Sequence, residues 1–169
     1  MHMKVKIKKM SDHAVIPKYA KHGDSGFDLV ATEDVIIKPG ETKKIPVGLA
    51  FEIPEGHELQ IRPRSGITSN TKVRVQFGTV DSGYRGEVNV TVDNFGRKDI
   101  KPVYYTLGVN GERYETFEAV HLYTYIIKKG DRIAQGVIAP VIQATFLETD
   151  ELSNSERGIS GFGSTGVSV

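Results

Sequence analysis

The chain has 169 residues, of which 38% are hydrophobic and 25% are charged, and its formal net charge is +1. This length and apolar content predict one domain, residues 1–169, with a hydrophobic core. A nearly neutral chain lacks the basic surface of a nucleic-acid-binding protein, so we expect a single nucleotide as ligand and no nucleic acid polymer. No apolar run approaches the roughly 18 residues of a membrane span, and the absence of cysteine fits a reducing compartment. We therefore expect a cytoplasmic protein with no membrane contact.

The first half of the chain predicts short strands joined by turns. Valine and isoleucine alternate with lysine over residues 4–8, which predicts an opening strand with its lysines outward. Apolar runs follow at residues 35–37, 45–53 and 57–61, with Pro-Gly and Pro-Glu-Gly turn signals between them. Turn signals about every 8 to 12 residues, with no sustained helical period, are typical of an all-β sandwich, barrel or jelly roll.

Residues 78–87 form the centre of a predicted β-hairpin with one buried face. Apolar residues alternate on both sides of this glycine-containing turn: Val73, Val75 and Phe77 before it, and Val88, Val90 and Val92 after it. The tip carries Asp81 and Tyr84, three residues apart. Taken alone, these are most simply an acidic turn residue and a packing aromatic side chain.

The second half continues the β pattern and ends in a glycine-rich tail. Asn110-Gly111 predicts a hairpin turn within an aromatic-rich segment, and residues 128–132 predict a turn that leads into a strand at 133–138. Residues 157–166 contain four glycines and three hydroxyl residues, too little apolar surface for a core. This tail is either a disordered terminus or a lid that closes over an anion.

The predicted loops contain side chains suited to phosphate chemistry. Arginine makes bidentate contacts to phosphate oxygens, and hydroxyl and amide groups complete such a site. Carboxylates without cysteine or a histidine cluster suit a hard, oxygen-ligated ion such as Mg²⁺, and an aspartate near the phosphates can act as general base toward a water. The candidates are Asp28, Asp81, Arg64, Arg157, Ser65, Ser164, Thr165 and Gln135, with the aromatic residues Tyr84 and Phe162.

Five stretches, taken in order, resemble the five motifs of the trimeric deoxyuridine triphosphatases (dUTPases). They are Asp24-Ser25-Gly26-Phe27-Asp28-Leu29, Pro63-Arg64-Ser65-Gly66, Gly78-Thr79-Val80-Asp81-Ser82-Gly83-Tyr84-Arg85-Gly86, Gly130-Asp131-Arg132-Ile133-Ala134-Gln135, and Arg157-Gly158 with Gly161-Phe162-Gly163-Ser164-Thr165-Gly166. The resemblance covers nearly the whole chain except about residues 95–125. One departure within it is Val75, which stands where the family has an asparagine; Gln76 is the substitute we consider.

The resemblance implies a fold, an assembly and a reaction. The fold would be a jelly-roll-like β domain that forms a homotrimer, with three active sites at the subunit interfaces. Each site would take its first, second and fourth motifs from one subunit, its third from another, and a flexible arm of about residues 155–169 from the remaining one. The reaction would be Mg²⁺-dependent hydrolysis of dUTP to dUMP and pyrophosphate, which keeps uracil out of DNA and supplies dUMP for thymidylate synthesis.

The resemblance also implies residue roles. Asp81 would be the base that deprotonates a water attacking the α-phosphorus, and Asp28 would order the hydrated Mg²⁺. Tyr84 would pack against the deoxyribose and so exclude a ribose hydroxyl. The remaining roles are phosphate binding by Arg64, Ser65 and Gln135, closure on the γ-phosphate end by Arg157, Ser164 and Thr165, stacking on uracil by Phe162, and recognition of uracil by the hairpin backbone. Further substrate-binding residues would be Gly66, Gly78, Val80 and Gly163.

The segment of about residues 95–125 is longer than a minimal family member needs, and we expect it to be a small inserted β excursion. It is either a surface hairpin that loops tolerate without function or a segment whose aromatic residues pack against the domain or a neighbouring subunit. Some phage-encoded relatives have an insert here, so the chain looks like a phage or Gram-positive form, a group in which the enzyme can also bind regulatory proteins.

Two alternatives to a dUTPase remain open from the sequence. The first is the homologous dCTP deaminase, which shares the fold but has a catalytic glutamate near its hairpin; Asp81 followed by Tyr84 favours the dUTPase. The second is a nucleotide-gated regulatory protein that contacts a partner through the insertion. A dUTP turnover assay separates all three.

Overall fold

The structure, a computed structural model, describes residues 3–98 and 102–160 and is almost entirely β. This confirms the predicted all-β fold class. The described elements are β1 (Lys6–Lys9), β2 (Phe27–Val30), β3 (Val35–Ile37), β4 (Thr42–Pro46), β5 (Leu49–Glu52), β6 (His57–Pro63), α1 (Ser65–Asn70), β7 (Val73–Val75), β8 (Gly78–Val80), β9 (Asn89–Asn94), β10 (Pro102–Gly108), β11 (Arg113–His121), β12 (Tyr125–Ile127) and β13 (Arg132–Pro140).

The strands form four small sheets in a jelly-roll-like arrangement. Their orders are β1-β5, β11-β10-β12-β3, β2-β13-β6-β8 and β4-β9-β7. Most neighbouring strands are distant in the chain: β13, for example, lies between β2 and β6 and pairs antiparallel with both. The sheet that contains β2, β13 and β6 therefore brings the predicted first, second and fourth motifs side by side.

The core is built from the inward-facing residues of these alternating strands. Lys6 and Lys8 are exposed at alternate positions of β1, as the sequence predicts. The largest fully buried side chains include Leu29, Ile37, Ile45, Leu59, Ile127 and Ile133. Each such side chain stabilises the fold by about 1.5–3 kcal/mol through removal of apolar surface from water.

The region of residues 73–92 differs from the simple hairpin that the sequence predicts. β7 does pair with β9, with Val75 opposite Val92, but β8 leaves that sheet and pairs with β6. The chain crosses between the two sheets at Gln76 and Phe77, and Phe77 is consequently 60% exposed. The prediction that Phe77 lies on the buried face is wrong because the strand alternation ends at this crossing.

The helix α1 was also not predicted. It has six residues, too few to show a helical period, and only Ile67 is buried. The Thr71 N–H donates to the Ile67 carbonyl, so the helix is one short segment between β6 and β7. No helix in the described part of the chain is long and apolar enough to cross a membrane.

The aromatic-rich segment forms a hairpin of β10 and β11 around Asn110-Gly111, which confirms that predicted turn. Gly111 has a φ of 92°, a conformation that suits glycine. The hairpin is built into the domain, because β10 also pairs with β12 and Thr106 is buried. At its base the buried Asn94 side chain donates to the backbone carbonyls of Ile37 and Tyr123.

After β13 the described chain continues as an extended arm, residues 141–160, without helix or strand. The Val141 N–H donates to the Gly56 carbonyl, and the described hydrogen bonds beyond that point join residues within the arm. Its apolar side chains face solvent; Ile142 is 94% and Phe146 92% exposed. In this single chain the arm therefore buries little of its apolar surface.

Candidate active site

Three of the predicted site residues lie together at adjacent strands. Asp28 on β2 is directly opposite Gln135 on β13. Arg64 follows β6, and its Nε lies 3.0 Å from Asp28 Oδ1, while its Nη1 donates to the Arg132 carbonyl over 2.8 Å. Because a guanidinium has five N–H donors, Arg64 keeps donors available for a ligand.

Arg132, in the fourth motif, is a member of this cluster that we did not predict. Its Nε lies 3.6 Å from Asp28 Oδ2, so the Asp28 carboxylate stands between two guanidinium groups. The side chains of Asp28 and Arg64 are 26% and 30% exposed, so the cluster is partly open to solvent. The sequence signal for Arg132 was its position in the fourth motif, three residues before Gln135. Strand alternation alone does not show that the Arg132 side chain reaches Asp28.

Glycines allow β2 and β13 to approach closely at this point. A Cβ on Gly136 would lie 2.7 Å from the Cζ of Phe27, and one on Gly26 would lie 3.2 Å from the Gly136 carbonyl oxygen. The Phe27 ring covers Gly136 and packs on Tyr19 and Phe51. This packing fixes the pairing of β2 with β13 and so keeps Asp28 beside Gln135.

Ser65 and Gly66 begin helix α1 immediately after Arg64, and both are exposed. The Ser65 carbonyl accepts a hydrogen bond from the Ser69 hydroxyl over 2.6 Å. A Cβ on Gly66 would meet no atom within 4 Å, so open space surrounds this residue. The structure thus places the second predicted motif at the edge of the Asp28 cluster.

Asp81 and Tyr84 form a tight turn after β8, and both are exposed. The Tyr84 N–H donates to the Asp81 carbonyl over 3.0 Å, and the Tyr84 hydroxyl donates to the Glu87 carbonyl over 3.1 Å. A Cβ on Gly86 would lie 2.6 Å from Tyr84 Cζ, so the ring lies across this glycine. The Glu87 carboxylate accepts the Gly48 N–H over 2.9 Å and anchors the turn. Half of the Tyr84 surface stays open, at 48% exposure.

Within one chain this turn is far from the Asp28 cluster. β6 pairs with β8 so that Val80 lies opposite Leu59, and Gly78 lies opposite Ile61. Asp81 therefore lies level with Glu58 near the start of β6, while Arg64 follows the other end of that strand. Six residue steps along β6 separate the two positions, which corresponds to about 20 Å at roughly 3.3 Å per residue. A single chain does not bring Asp81 and Arg64 to one ligand.

The residues considered for the uracil edge lie beside this turn. Val75 is buried, so its side chain faces the core. Gln76 is exposed, but its amide Nε2 donates to Asp93 Oδ2 over 2.9 Å. Because an amide nitrogen has two N–H donors, Gln76 can keep this partner and still contact a base with its second N–H or its amide oxygen.

The arm carries Arg157 at an exposed position, where its Nε donates to the Ser160 carbonyl over 3.0 Å. It contacts none of the other predicted site residues in the described chain. Phe162, Gly163, Ser164 and Thr165 lie outside the described residues, so the predictions for them stay predictions.

Two cavities adjoin the loop before β2. A small polar cavity of about 210 Å³ is lined by Lys18, Ala20, Asp24, Ser25, Gly26, Asp28 and Gln135. An apolar cleft of about 820 Å³ lies beside it, with Val5, Ile7, Phe27, Phe51 and Ile138 among its lining residues. The first cavity adds Lys18, which we did not predict, to the surroundings of Asp28.

Charged groups also fix the turn that precedes β13. The hydrogen bond from Lys128 lowers the pKa of the Asp34 carboxyl, and the same contact raises the pKa of Lys128. Burial raises the pKa of Asp131, although the Lys128 N–H donates to its Oδ2 over 2.8 Å. These contacts hold the turn that presents Arg132.

The fold assigns the chain to the class of jelly-roll-like β domains, and comparison with known proteins narrows this to one family. The dUTPase family model matches residues 12–104 and 120–166. The deoxyuridine 5'-triphosphate nucleotidohydrolase of Nautilia profundicola is 49% identical over 166 residues, which cover 97% of this chain and 99% of that protein. The chain therefore belongs to the dUTPase family.

Solved structures agree with this assignment. The dUTPase of Staphylococcus bacteriophage 80alpha, as its G164S mutant with dUpNHpp, superposes with a TM-score of 0.92 at 32% identity and covers 97% of this chain and 99% of its own. The dUTPase of phage phi11 of S. aureus has a TM-score of 0.85 at 26% identity and covers 90% and 100%. For phi11, a species-specific insert and coordination of a structural Mg(II) ion are described.

Proposed function

We propose that this protein hydrolyses dUTP to dUMP and pyrophosphate. The observation that carries the proposal is the grouping of Asp28, Arg64 and Gln135 on neighbouring strands in a chain of the dUTPase family. Arginine and amide donors suit phosphate oxygens, and the exposed Asp81 and Tyr84 supply a carboxylate and a ring for the rest of the ligand. A cytoplasmic location accompanies this proposal, since dUTP belongs to the cell's nucleotide pool.

The active form we propose is a homotrimer with sites shared between subunits. In support, about 20 Å of strand separates Asp81 from Arg64 within one chain, so a complete site requires the hairpin of another copy. The exposed apolar side chains of the arm, such as Ile142 and Phe146, have no partner surface in the described chain. The apolar cleft of about 820 Å³ offers such a surface on a neighbouring subunit.

The proposed mechanism assigns each group a physical task. The Asp81 carboxylate accepts a proton from the water that attacks the α-phosphorus, and pyrophosphate leaves. Charge develops on the phosphate oxygens, so fixed cations and hydrogen-bond donors supply most of the stabilisation of the transition state. Arg64, Ser65 and Gln135 provide these groups. The C-terminal end of the chain closes on the phosphates with Arg157, Gly163, Ser164 and Thr165. Tyr84 covers the sugar face where a 2'-hydroxyl would need space, and Phe162 covers the base.

Mg²⁺ fits this site only together with substrate. The described residues contain no group of three or more histidine, aspartate or glutamate side chains placed to hold a metal. Mg²⁺ commonly keeps several waters and binds through one or two carboxylates plus substrate phosphates, and Asp28 is the carboxylate available for that role through water. When bound, the ion would neutralise charge on the phosphate oxygens.

The direct test is pyrophosphate release from dUTP, UTP, dTTP and dCTP in the presence of Mg²⁺. We expect rapid turnover of dUTP and, for UTP, a kcat/KM lower by about 10²-fold, since apolar exclusion of one hydroxyl gives about that factor. We expect dTTP and dCTP, which differ from dUTP in the base, to be poor substrates as well. Hydrolysis in ¹⁸O-water should label dUMP and leave pyrophosphate unlabelled.

Other results of this assay would contradict parts of the proposal. Equal turnover of UTP would remove the role of Tyr84, and ammonia release from dCTP would indicate the homologous deaminase. Nucleotide binding without turnover of any of the four nucleotides would favour the nucleotide-gated regulatory protein.

We further propose that residues of about 95–125 are an insertion whose hairpin serves protein contacts. In support, the family model omits residues 105–119, and Phe117 and Tyr104 on this hairpin are exposed. Phage dUTPases related to the 80alpha protein are described as controlling the transfer of virulence genes. A regulatory protein is therefore the class of partner that this surface would take.

Substitution of the exposed aromatic side chains separates this role from catalysis. Phe117→Ser and Tyr104→Ser should change kcat/KM for dUTP by less than about twofold and leave Tm unchanged, because exposed side chains contribute little to stability. A large loss of turnover at normal Tm would instead place the hairpin within the catalytic site.

A further inference from the structure

Lys18 lies in the loop before β2 and lines the small polar cavity next to Asp28 and Gln135. At about 210 Å³, this cavity is smaller than the roughly 300–1,000 Å³ of pockets that enclose a whole drug-sized ligand. Its walls carry carboxylate, amide, hydroxyl and ammonium groups and no aromatic ring. Such a cavity suits the phosphate chain of a nucleotide and not its base.

Lys18 differs from the other cations near Asp28 because its charge is not balanced by a carboxylate of the site. Arg64 and Arg132 both pair with Asp28, and a second carboxylate, Asp24, lines the same cavity. The two arginines are thus opposed by two carboxylates. A tetraanionic ligand needs an excess of positive charge, and Lys18 supplies it on this side of the site.

Lys18 is also free to move onto a ligand. Among the described residues its exposed side chain has no ion pair and no hydrogen bond. The neighbouring Asp24 carboxylate is occupied by the Lys21 N–H over 2.7 Å. An ammonium on a flexible four-carbon stem can reach a phosphate oxygen without displacing a protein partner.

We propose that Lys18 is a substrate-binding residue that contacts the phosphate chain of the bound nucleoside triphosphate. The inference rests on the proposed function, because it concerns the same site. Lys18 adds affinity for the triphosphate by a charge-assisted hydrogen bond, and it takes no part in proton transfer.

The experiment measures binding of the non-hydrolysable α,β-imido-dUTP and of dUMP by calorimetry, with and without Mg²⁺, on intact wild-type and variant protein. For Lys18→Gln we expect Kd for the imido-triphosphate to rise about tenfold, as for loss of one hydrogen bond to a charged group, and Kd for dUMP to rise less than about threefold. Lys18→Arg should restore most of the triphosphate affinity. Lys38→Gln, the same charge change at an exposed turn lining neither cavity, should change neither Kd.

The outcomes separate this inference from the proposed function. If wild-type protein hydrolyses dUTP while Lys18→Gln binds both ligands as the wild type does, only the role of Lys18 is wrong. Equal losses for the two ligands would also overturn it, because a distorted loop would weaken both. If wild-type protein neither binds the imido-triphosphate nor hydrolyses dUTP, the proposed function fails first.

Discussion

Asp81→Asn should reduce dUTP hydrolysis to a small residual rate while leaving nucleotide binding nearly intact. The carboxylate is exposed at the end of β8, and an amide of the same shape cannot accept a proton from the attacking water. General-base catalysis is worth about 10²–10⁴-fold, so we expect kcat to fall by that factor. The turn should survive, because it is held by the backbone of Asp81 and by the Tyr84 hydroxyl, which the substitution does not change.

The measurements are kcat by pyrophosphate release and Kd for α,β-imido-dUTP. Glu55→Gln is a matched control, since it neutralises an exposed carboxylate at another turn and should leave both values unchanged. Retained turnover in the Asp81→Asn protein would show that a different group is the base. A parallel loss of binding would show that Asp81 positions the ligand and that its proton chemistry is secondary.

Mixing two inactive variants should restore activity. The wide separation of Asp81 and Arg64 in one chain predicts that each site takes the two residues from different subunits. Chains with Asp81→Asn and chains with Arg64→Gln, unfolded and refolded together, would form mixed trimers. In a random mixture of equal amounts, about one quarter of the sites would combine an intact Asp81 with an intact Arg64, if trimers close by rotational symmetry as homo-oligomers usually do. We therefore expect about a quarter of wild-type kcat.

Two controls make this result specific. Different affinity tags on the two variants allow the mixed trimers to be isolated and their composition measured. A chain that carries both substitutions, mixed with the Asp81→Asn chain, contains no intact Asp81 and should stay inactive. If verified mixed trimers of the two single variants are also inactive, Asp81 and Arg64 act within one subunit, and the proposed shared site is wrong.

Local patterns in the sequence were enough for much of the fold. Turn chemistry at Asn110-Gly111 and the alternation of residues 4–8 depend on neighbours in the chain, and the structure confirms both. The predicted burial of Phe77 was wrong, because the chain leaves one sheet for another at this residue. Alternation predicts which face a side chain takes only while the strand keeps its partner, and that partner is set by distant residues.

The sequence by itself determined the β class, the five motifs, and hence the family and the chemistry expected of Asp81, Arg64 and Asp28. Only the tertiary structure decided which of these groups meet. Strand pairing across more than a hundred residues places Asp28 beside Gln135 and between two guanidinium groups, and adds Lys18 to their cavity. The same pairing separates Asp81 from them. The physical reason is that motif chemistry is local in the chain, whereas charge pairing and site assembly depend on contacts that only the folded sheet creates.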